Sequence, residues 1–297
     1  MSSVLVSTRP WRGFLLVTAA YGVALVAAGL TLRALPGVHP LLALLAADAA
    51  ATLVVFVGSR LLDNSSVYDA YWSVAPMAAA VWLAAEPGAA LGWSGRQLLV
   101  VALVQLWGVR LTFNWARGWT GLGHEDWRYV MQREKFPRAY WLISLVGLHF
   151  MPTLMVFLGM LPLDVVLVRS TRPLGLVDAI AAVVTLGAIA IETLGDEQLR
   201  AFRRTAKAGS VCDVGLWSVS RHPNYLGEIG FWLGLALFGT AAGAPWWSWS
   251  GVVAMLLLFT TISIPLAESR SASRRPEWRA YVRRTAMLVP WLRFRRD

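Results

Sequence analysis

The sequence predicts an all-α protein, a polytopic transmembrane helical bundle of about seven or eight spans whose cytoplasmic loops and tail form a pocket. Of its 297 residues, 57% are hydrophobic and 15% are charged, which is not the balance of a soluble domain. Long apolar runs rich in Leu, Ala and Val recur along the chain. About 20 apolar residues cross a hydrocarbon core of about 30 Å, so these runs predict spanning helices. Barrels would require short alternating strands.

The apolar runs predict eight spans with soft boundaries. They cover residues 13–34, 41–58, 71–86, 97–116, 141–161, 176–195, 227–243 and 250–267. The first span exceeds the roughly 7–15 apolar residues of a signal peptide, so we expect it to remain as an anchor. With no repeat or flexible linker, residues 1–297 form a single integral membrane domain. Residues 1–60 are predicted to be scaffold helices, and the polar and aromatic residues are concentrated in the segments that follow them.

The basic residues predict the orientation. Eight spans put both termini on one side of the membrane, and that side holds 22 of the 27 Lys and Arg residues against 4 on the other. Positively charged loops stay in the cytoplasm, so we expect cytoplasmic termini. The net charge of +10 is then explained by topology, and no nucleic acid partner is predicted.

Cysteine and histidine usage predicts neither a disulfide nor a metal site. Cys212 is the single cysteine, so it has no partner for an internal disulfide. The four histidines are too scattered to form a metal site by spacing: His39, His124, His149 and His222.

A basic helical face follows the sixth predicted span. Arg200, Arg203, Arg204 and Lys207 recur at spacings of three and four residues, which places them on one side of a helix. Such a face binds anions, either lipid headgroups at the membrane surface or the phosphates of a cofactor.

A loop with many hydrogen-bonding side chains leads into the seventh predicted span. It ends in the sequence SRHPNY, with Pro223 expected at the first helical position. A helix start leaves backbone N–H groups unpaired and carries partial positive charge. A phosphate group can bind there, with Arg221 and His222 adding donors and with Asn224 and Glu228 one turn apart on one face.

Ionisable residues within the predicted spans are costly and suggest function. Asp48 and Arg110 are candidates for an ion pair between the second and fourth spans. Asp178 and Glu192 lie near predicted span ends, where a charged group can reach the interface. The Arg-rich tail with Trp278 and Tyr281 is also typical of an interfacial anchor.

Several motifs resemble the bacterial and plant proteins classed with the C-terminal domain of steroid 5-alpha-reductases. The similarity covers roughly residues 60–290, the family-like catalytic core. It is carried by NSSVYDAYW at 64–72, WGVRL at 107–111, EDWRY at 125–129, DEQL at 196–199, the segment 212–228 and the closing stretch 281–290. The sequence SRHPNYLGE at 220–228 is the most specific part. A shorter form of it is also similar to isoprenylcysteine carboxyl methyltransferases, which use S-adenosylmethionine.

The resemblance implies an NADPH site. In the family, an Asp and spaced Arg residues precede an Asn-Tyr-x-Gly-Glu core, as happens here. The residues implied to hold the cofactor are Asp196, Arg200, Arg203, Lys207, Trp217, Arg221, His222, Asn224, Tyr225, Glu228, Tyr281 and Arg284. The family's acid and tyrosine that polarise a steroid carbonyl have no residue-by-residue match. Tyr68, Asp69 and Tyr129 are the catalytic substitutes by chemistry.

The resulting hypothesis is an NADPH-dependent reductase of an activated C=C bond in a steroid-like or other lipid substrate that enters from the bilayer. One alternative is a methyltransferase of the isoprenylcysteine type with S-adenosylmethionine in the same pocket. Another is a non-catalytic membrane protein whose basic loops bind lipid or a partner. The expected location is a bacterial inner membrane, with no obligate protein partner evident.

The charge count predicts that the C-terminal tail is cytoplasmic. A reporter fused after Asp297 that is active only in the cytoplasm should therefore be active. Activity of a reporter that works only in the periplasm would contradict the orientation and remove the cytosolic cofactor site.

Overall fold

The computed structural model describes residues 10–86 and 93–290. Within these ranges the chain is helical, and the β-type pairing is an isolated bridge between Ser220 and Ala286. Seven helices of the described chain are long and apolar enough to cross a membrane. The all-α polytopic architecture is thus confirmed. In chain order the helices are α1 Pro10–Ala34, α2 Pro40–Leu61, α3 Tyr71–Ala84, α4 Gly95–Ala116, α5 Trp127–Lys135, α6 Tyr140–Arg169, α7 Leu176–Thr205, α8 Pro223–Ala242, α9 Trp246–Arg274 and α10 Trp278–Arg284.

The third predicted span, 71–86, is the one that falls short. Helix α3 has 14 residues and is about 21 Å long, less than the roughly 30 Å of the hydrocarbon core. Seven spans would put the termini on opposite sides, so the predicted side of the N-terminus depends on α3.

The residues up to Arg169 form one compact unit. Helix α1 packs along α2. Only 11% of the residues in its most apolar stretch are buried, as expected for a scaffold helix in lipid. Its inner face contributes Val17 and Ala24 to a core that also contains Val55, Tyr68 and Trp119. The scaffold helices therefore support the segment in which the polar motifs begin.

Helices α2 and α6 are joined by polar contacts in their buried faces. The Thr52 and Thr153 hydroxyl oxygens lie 2.9 Å apart, and Ser59 Oγ lies 3.1 Å from His149 Nε2. His149 belongs to a π-helical stretch, Ser144–Phe150, within α6, a type of distortion that is frequent at functional sites. Because unsatisfied polar groups are costly in lipid, these pairs fix how the two helices meet.

The expected ion pair between Asp48 and Arg110 is wrong. Asp48 instead accepts a hydrogen bond of 2.7 Å from the Tyr71 hydroxyl through its Oδ1 atom. Its Oδ2 atom is buried and has no hydrogen-bond partner among the described residues. The Tyr71 hydroxyl thus bonds one of the two carboxyl oxygens, and Asp48 forms a buried acid–tyrosine pair.

The residues from Ser170 onward form the second unit, in which α7 and α8 pack closely. A Cβ atom placed on Gly227 would lie 2.6 Å from Glu192 Cβ and 2.7 Å from the Ala188 carbonyl oxygen. A Cβ atom on Gly234 would lie 2.0 Å from Thr185 Oγ1. Glycine lets the two backbones approach at these points, which brings the end of α7 beside the start of α8.

The acids of α7 are more buried than the sequence suggested. Asp178 accepts a hydrogen bond of 2.9 Å from the Gly175 backbone N–H, so it caps the N-terminus of α7 near a span end as expected. Glu192, at 5% exposure, lies 13 residues before the end of α7. Helix α7 continues to Thr205 as one helix, and the position of Glu192 near a span end stays a prediction.

Substitution of Gly227 by Ala should destabilise the second unit by about 1–3 kcal/mol, because backbone atoms of α7 occupy the space of the new methyl group. Gly187→Ala is the matched control on α7, since nothing lies within 4 Å of its Cβ position. Thermal unfolding in detergent should give a lower midpoint for Gly227→Ala and an equal or higher one for Gly187→Ala. Equal midpoints for both variants would contradict this packing.

Candidate functional site in the second unit

The close packing of α7 and α8 brings together the polar residues predicted at 196 and 224. Asn224 Nδ2 lies 3.4 Å from Asp196 Oδ1. The Cβ position of Gly195 is 3.4 Å from the Asn224 backbone nitrogen, so a larger residue would crowd this contact. Two helix ends, one with an acid and one with an amide, therefore form the centre of the candidate site.

Helix α8 begins at Pro223, as predicted, and the side chain of its N-cap residue, His222, makes no capping hydrogen bond. The His222 side chain instead places Nε2 at 3.1 Å from Glu268 Oε1 and stacks on the ring of Tyr225 at a centroid distance of 5.3 Å. Burial lowers the pKa of His222, and Glu268 opposes that shift. The neutral imidazole is favoured, and the helix start keeps its capacity to bind an anion.

Arg221 fastens the tail to this loop. Its Nε donates to Glu268 Oε1 at 2.7 Å, and its Nη1 donates to the Thr285 carbonyl at 2.6 Å. The Arg221 backbone N–H also donates to the Ala286 carbonyl at 2.8 Å. The Arg221 guanidinium therefore bonds to protein acceptors, and these bonds position the start of α8.

Tyr281 and Trp217 continue this internal support. The buried Tyr281 hydroxyl donates to the Trp217 carbonyl at 2.5 Å, and Trp217 Nε1 donates to the Gly195 carbonyl at 2.8 Å. Burial raises the pKa of Tyr281, so its hydroxyl stays protonated and remains a donor. These bonds connect α10 to the loop and the loop to α7.

Two further predicted cofactor residues have protein partners. Glu228 is buried, and its Oε1 accepts from Trp232 Nε1 at 2.8 Å. Arg284 forms an exposed ion pair with Asp213. The remaining predicted residues are Asp196, Arg200 and Arg203 in the last third of α7, Asn224 and Tyr225 in the first turn of α8, and Lys207. Helix α7 ends at Thr205, so the expected helical face is wrong at Lys207, which lies in the loop beyond the helix.

Sequence reasoning missed Glu268 and Gln198. Glu268 receives both Arg221 and His222 on one oxygen. Gln198 Oε1 accepts from the Leu216 backbone N–H at 2.8 Å and so holds the loop on α7. A single acid at the head of an Arg-rich segment was the available signal for Glu268; Gln198 offered none.

Cys212 is buried near this loop. Burial raises the pKa of its thiol, which disfavours the thiolate and hence nucleophilic or redox chemistry. No group of His, Cys, Asp and Glu suited to a metal ion occurs among the residues that the structure describes.

In the first unit, the three predicted catalytic residues belong to two different contacts. The buried Tyr68 hydroxyl lies 2.8 Å from Thr153 Oγ1. The Tyr129 hydroxyl donates to Asp69 Oδ1 at 2.7 Å. Tyr68 and Asp69 are adjacent in sequence, but the first contacts α6 and the second contacts α5.

The segment that contains Tyr68 is held by the loop before α5. Asn64 Nδ2 donates to the carbonyls of Leu122 and His124 at 2.9 Å. The Ser65 backbone N–H donates to Glu125 Oε1 at 2.7 Å. Since these bonds satisfy buried backbone groups, they fix the position of Tyr68 and Asp69.

A family model described as "Protein of unknown function (DUF1295)" matches residues 55–285 of the chain. The chain belongs to this family. The match begins within α2, after Asp48, and includes every residue that was predicted for the two candidate sites, from Tyr68 to Arg284. The chain is also similar to the uncharacterized protein C594.04c of Schizosaccharomyces pombe, with 28% identity over 254 residues, 77% of this chain and 73% of that protein. No solved structure matches the chain.

Arg221 and Arg284, which were both predicted to bind the cofactor, should contribute differently to the free energy of unfolding. Arg221→Ala removes a largely buried guanidinium from Glu268 and two carbonyls, and should cost about 3 kcal/mol. Arg284→Ala breaks an exposed pair and should cost less than about 1 kcal/mol. Thermal unfolding without added cofactor measures both. An equal loss in the two variants would contradict the structural role of Arg221.

Proposed function

We propose that this protein is an NADPH-dependent reductase of an activated C=C bond in an apolar, lipid-like substrate. The observation that carries the proposal is the grouping of Asp196, Asn224 and the uncapped start of α8 beside the basic end of α7. The resemblance to the steroid 5-alpha-reductase group supports the same function. Each unit's contribution is considered by itself.

The second unit offers the chemistry that a phosphate-bearing cofactor requires. The start of α8 can bind an anion through its backbone N–H groups. Arg203 is exposed and makes no hydrogen bond or ion pair with the described residues, in contrast to Arg221 and Arg284. A guanidinium in this state suits a phosphate monoester such as the 2'-phosphate of NADPH.

The remaining polar groups suit the uncharged parts of the same cofactor. Asp196 and Asn224 offer acceptors and donors for hydroxyl and amide groups. S-adenosylmethionine has no phosphate and would leave the basic end of α7 without a function. NADPH, when bound, supplies a hydride.

The first unit offers groups that can polarise a substrate carbonyl. In the Asp48–Tyr71 pair, the Asp48 Oδ2 atom is buried without a partner among the described residues, and when protonated it can donate to a carbonyl oxygen. Tyr68 is a second buried hydroxyl, bonded to Thr153. Such donors stabilise the oxygen on which negative charge develops during reduction of a conjugated C=C bond.

Arg203→Ala should weaken binding of NADPH by about ten- to a hundredfold and leave NADH binding almost unchanged, because the contact to the 2'-phosphate exists only for NADPH. Asn224→Ala should weaken both cofactors, since it would contact parts that they share. Arg283→Ala, which also removes an exposed arginine of this unit, is the control and should bind both like the parent.

Titrations of detergent-purified protein with NADPH, NADH and S-adenosylmethionine decide among the alternatives. Binding of S-adenosylmethionine without either nicotinamide cofactor would favour the methyltransferase. Binding of none would favour a lipid- or partner-binding protein. Equal NADPH affinity in the parent and Arg203→Ala would remove Arg203 from the site.

A further inference from the structure

The Asp69–Tyr129 pair uses a hydrogen bond different from those of Tyr68 and Asp48, the groups that we assign to carbonyl polarisation. Asp69 ends the short 3-10 turn Ser65–Tyr68, and Tyr129 lies in the first turn of α5. The Tyr129 hydroxyl donates to one carboxyl oxygen of Asp69 at 2.7 Å. Asp69 is partly exposed and Tyr129 is buried, so the pair lies between the solvent and the core of the first unit.

The charged and polar groups around this pair come from three elements. Helix α5 and its N-cap contribute Asp126 and Arg128, which are paired with each other at 2.7 Å. The turn contributes the Ser66 side chain, and α1 contributes Tyr21. Asp126 raises the pKa of Asp69 and Arg128 lowers it, and the two are paired with each other, so the charge of Arg128 is opposed by that of its own acid.

We propose that the Asp69 carboxyl group supplies the proton that completes the reduction, with Tyr129 as its positioning residue. The inference rests on the proposed function and adds the identity of the proton donor. Addition of a hydride to the β-carbon of a conjugated C=C bond leaves an enolate. The enolate electron pair forms the new C–H bond at the α-carbon while the O–H bond of Asp69 breaks, and the Asp69 carboxylate then takes a proton from water.

The pair has the properties of a proton donor at neutral pH. Burial raises the pKa of Asp69 to about 7, and the hydrogen bond from Tyr129 opposes the shift. A donor with a pKa near the working pH combines a large protonated fraction with ready proton release. Tyr129 would hold the carboxyl group in one orientation and stabilise the carboxylate after transfer.

The first experiment measures Asp69 itself and needs no substrate. Infrared difference spectra of the parent against Asp69→Asn should show a protonated carboxyl band at pH 6 that disappears by pH 8.5. The free energy of unfolding should also depend on pH. A carboxyl group whose pKa is raised on folding stabilises the protein at low pH, and this contribution is lost as the pH rises from about 4 to 7. Asp69→Asn should flatten this loss. Absence of the band at pH 6 would overturn the proposal.

The second experiment follows NADPH oxidation by the whole protein with 4-cholesten-3-one as the probe. The parent rate should fall as pH rises through about 7. Asp69→Asn should be at least a hundredfold slower, with unchanged NADPH affinity. Tyr129→Phe removes the bond that lowers the Asp69 pKa, so its falling limb should move to higher pH. A purely structural tether would not produce that shift.

Asp63→Asn is the matched control, because Asp63 is an exposed acid of the same segment, paired with Arg133. It should keep the parent rate and profile. A parent profile in Asp69→Asn would overturn the proton-donor assignment. A parent protein that does not bind NADPH would instead overturn the proposed function, and the carboxyl band would still decide the state of Asp69.

Discussion

The candidate cofactor site depends on the close approach of α7 and α8. At Gly227 the α7 backbone occupies the space in which any other residue would carry its Cβ atom. In lipid, helices associate through van der Waals contact and interhelical hydrogen bonds, so small residues at the interface determine how near they come. Here that distance puts Asn224 beside Asp196 and brings the start of α8 to the last third of α7, where the basic residues begin.

The tail completes the second unit through a series of specific bonds. Arg221, Trp217 and Tyr281 each bond to backbone carbonyls of the neighbouring segment. The Thr285 and Trp217 carbonyls lie outside the long helices, so the side chains that bond to them supply hydrogen bonds that a helix would otherwise provide. The Gly195 carbonyl belongs to α7, and the bond from Trp217 ties the loop to that helix. The same residues would have been expected at a ligand from their chemistry alone. Because these side chains are bonded to the protein itself, they support the site, whereas the exposed residues around them can bind a ligand.

In the first unit, polar side chains likewise bond to neighbouring segments of a mainly apolar bundle. Asn64, Ser65 and Ser66 bond to the loop that precedes α5, while Thr153 and His149 bond to α2. Tyr68 and Asp69 therefore have fixed surroundings although they are outside the long spans. Asp48 and Tyr71 add a buried acid–tyrosine pair in which one carboxyl oxygen has no hydrogen-bond partner in the described part of the chain, and this oxygen is the donor that we propose for a substrate carbonyl.

The sequence by itself determined the solvent, the helical class and the segments in which polar chemistry collects, because hydropathy and run length depend only on local composition. It also located the start of α8, since the fixed backbone angle of Pro223 is a local property. It could not divide the arginines into structural and available ones, because Arg221 and Arg203 differ only in which distant carbonyls and acids reach them. The partner of Asp48, the burial of Glu192 and the Asp69–Tyr129 pair likewise depended on contacts between residues far apart in sequence, which only the tertiary structure decided.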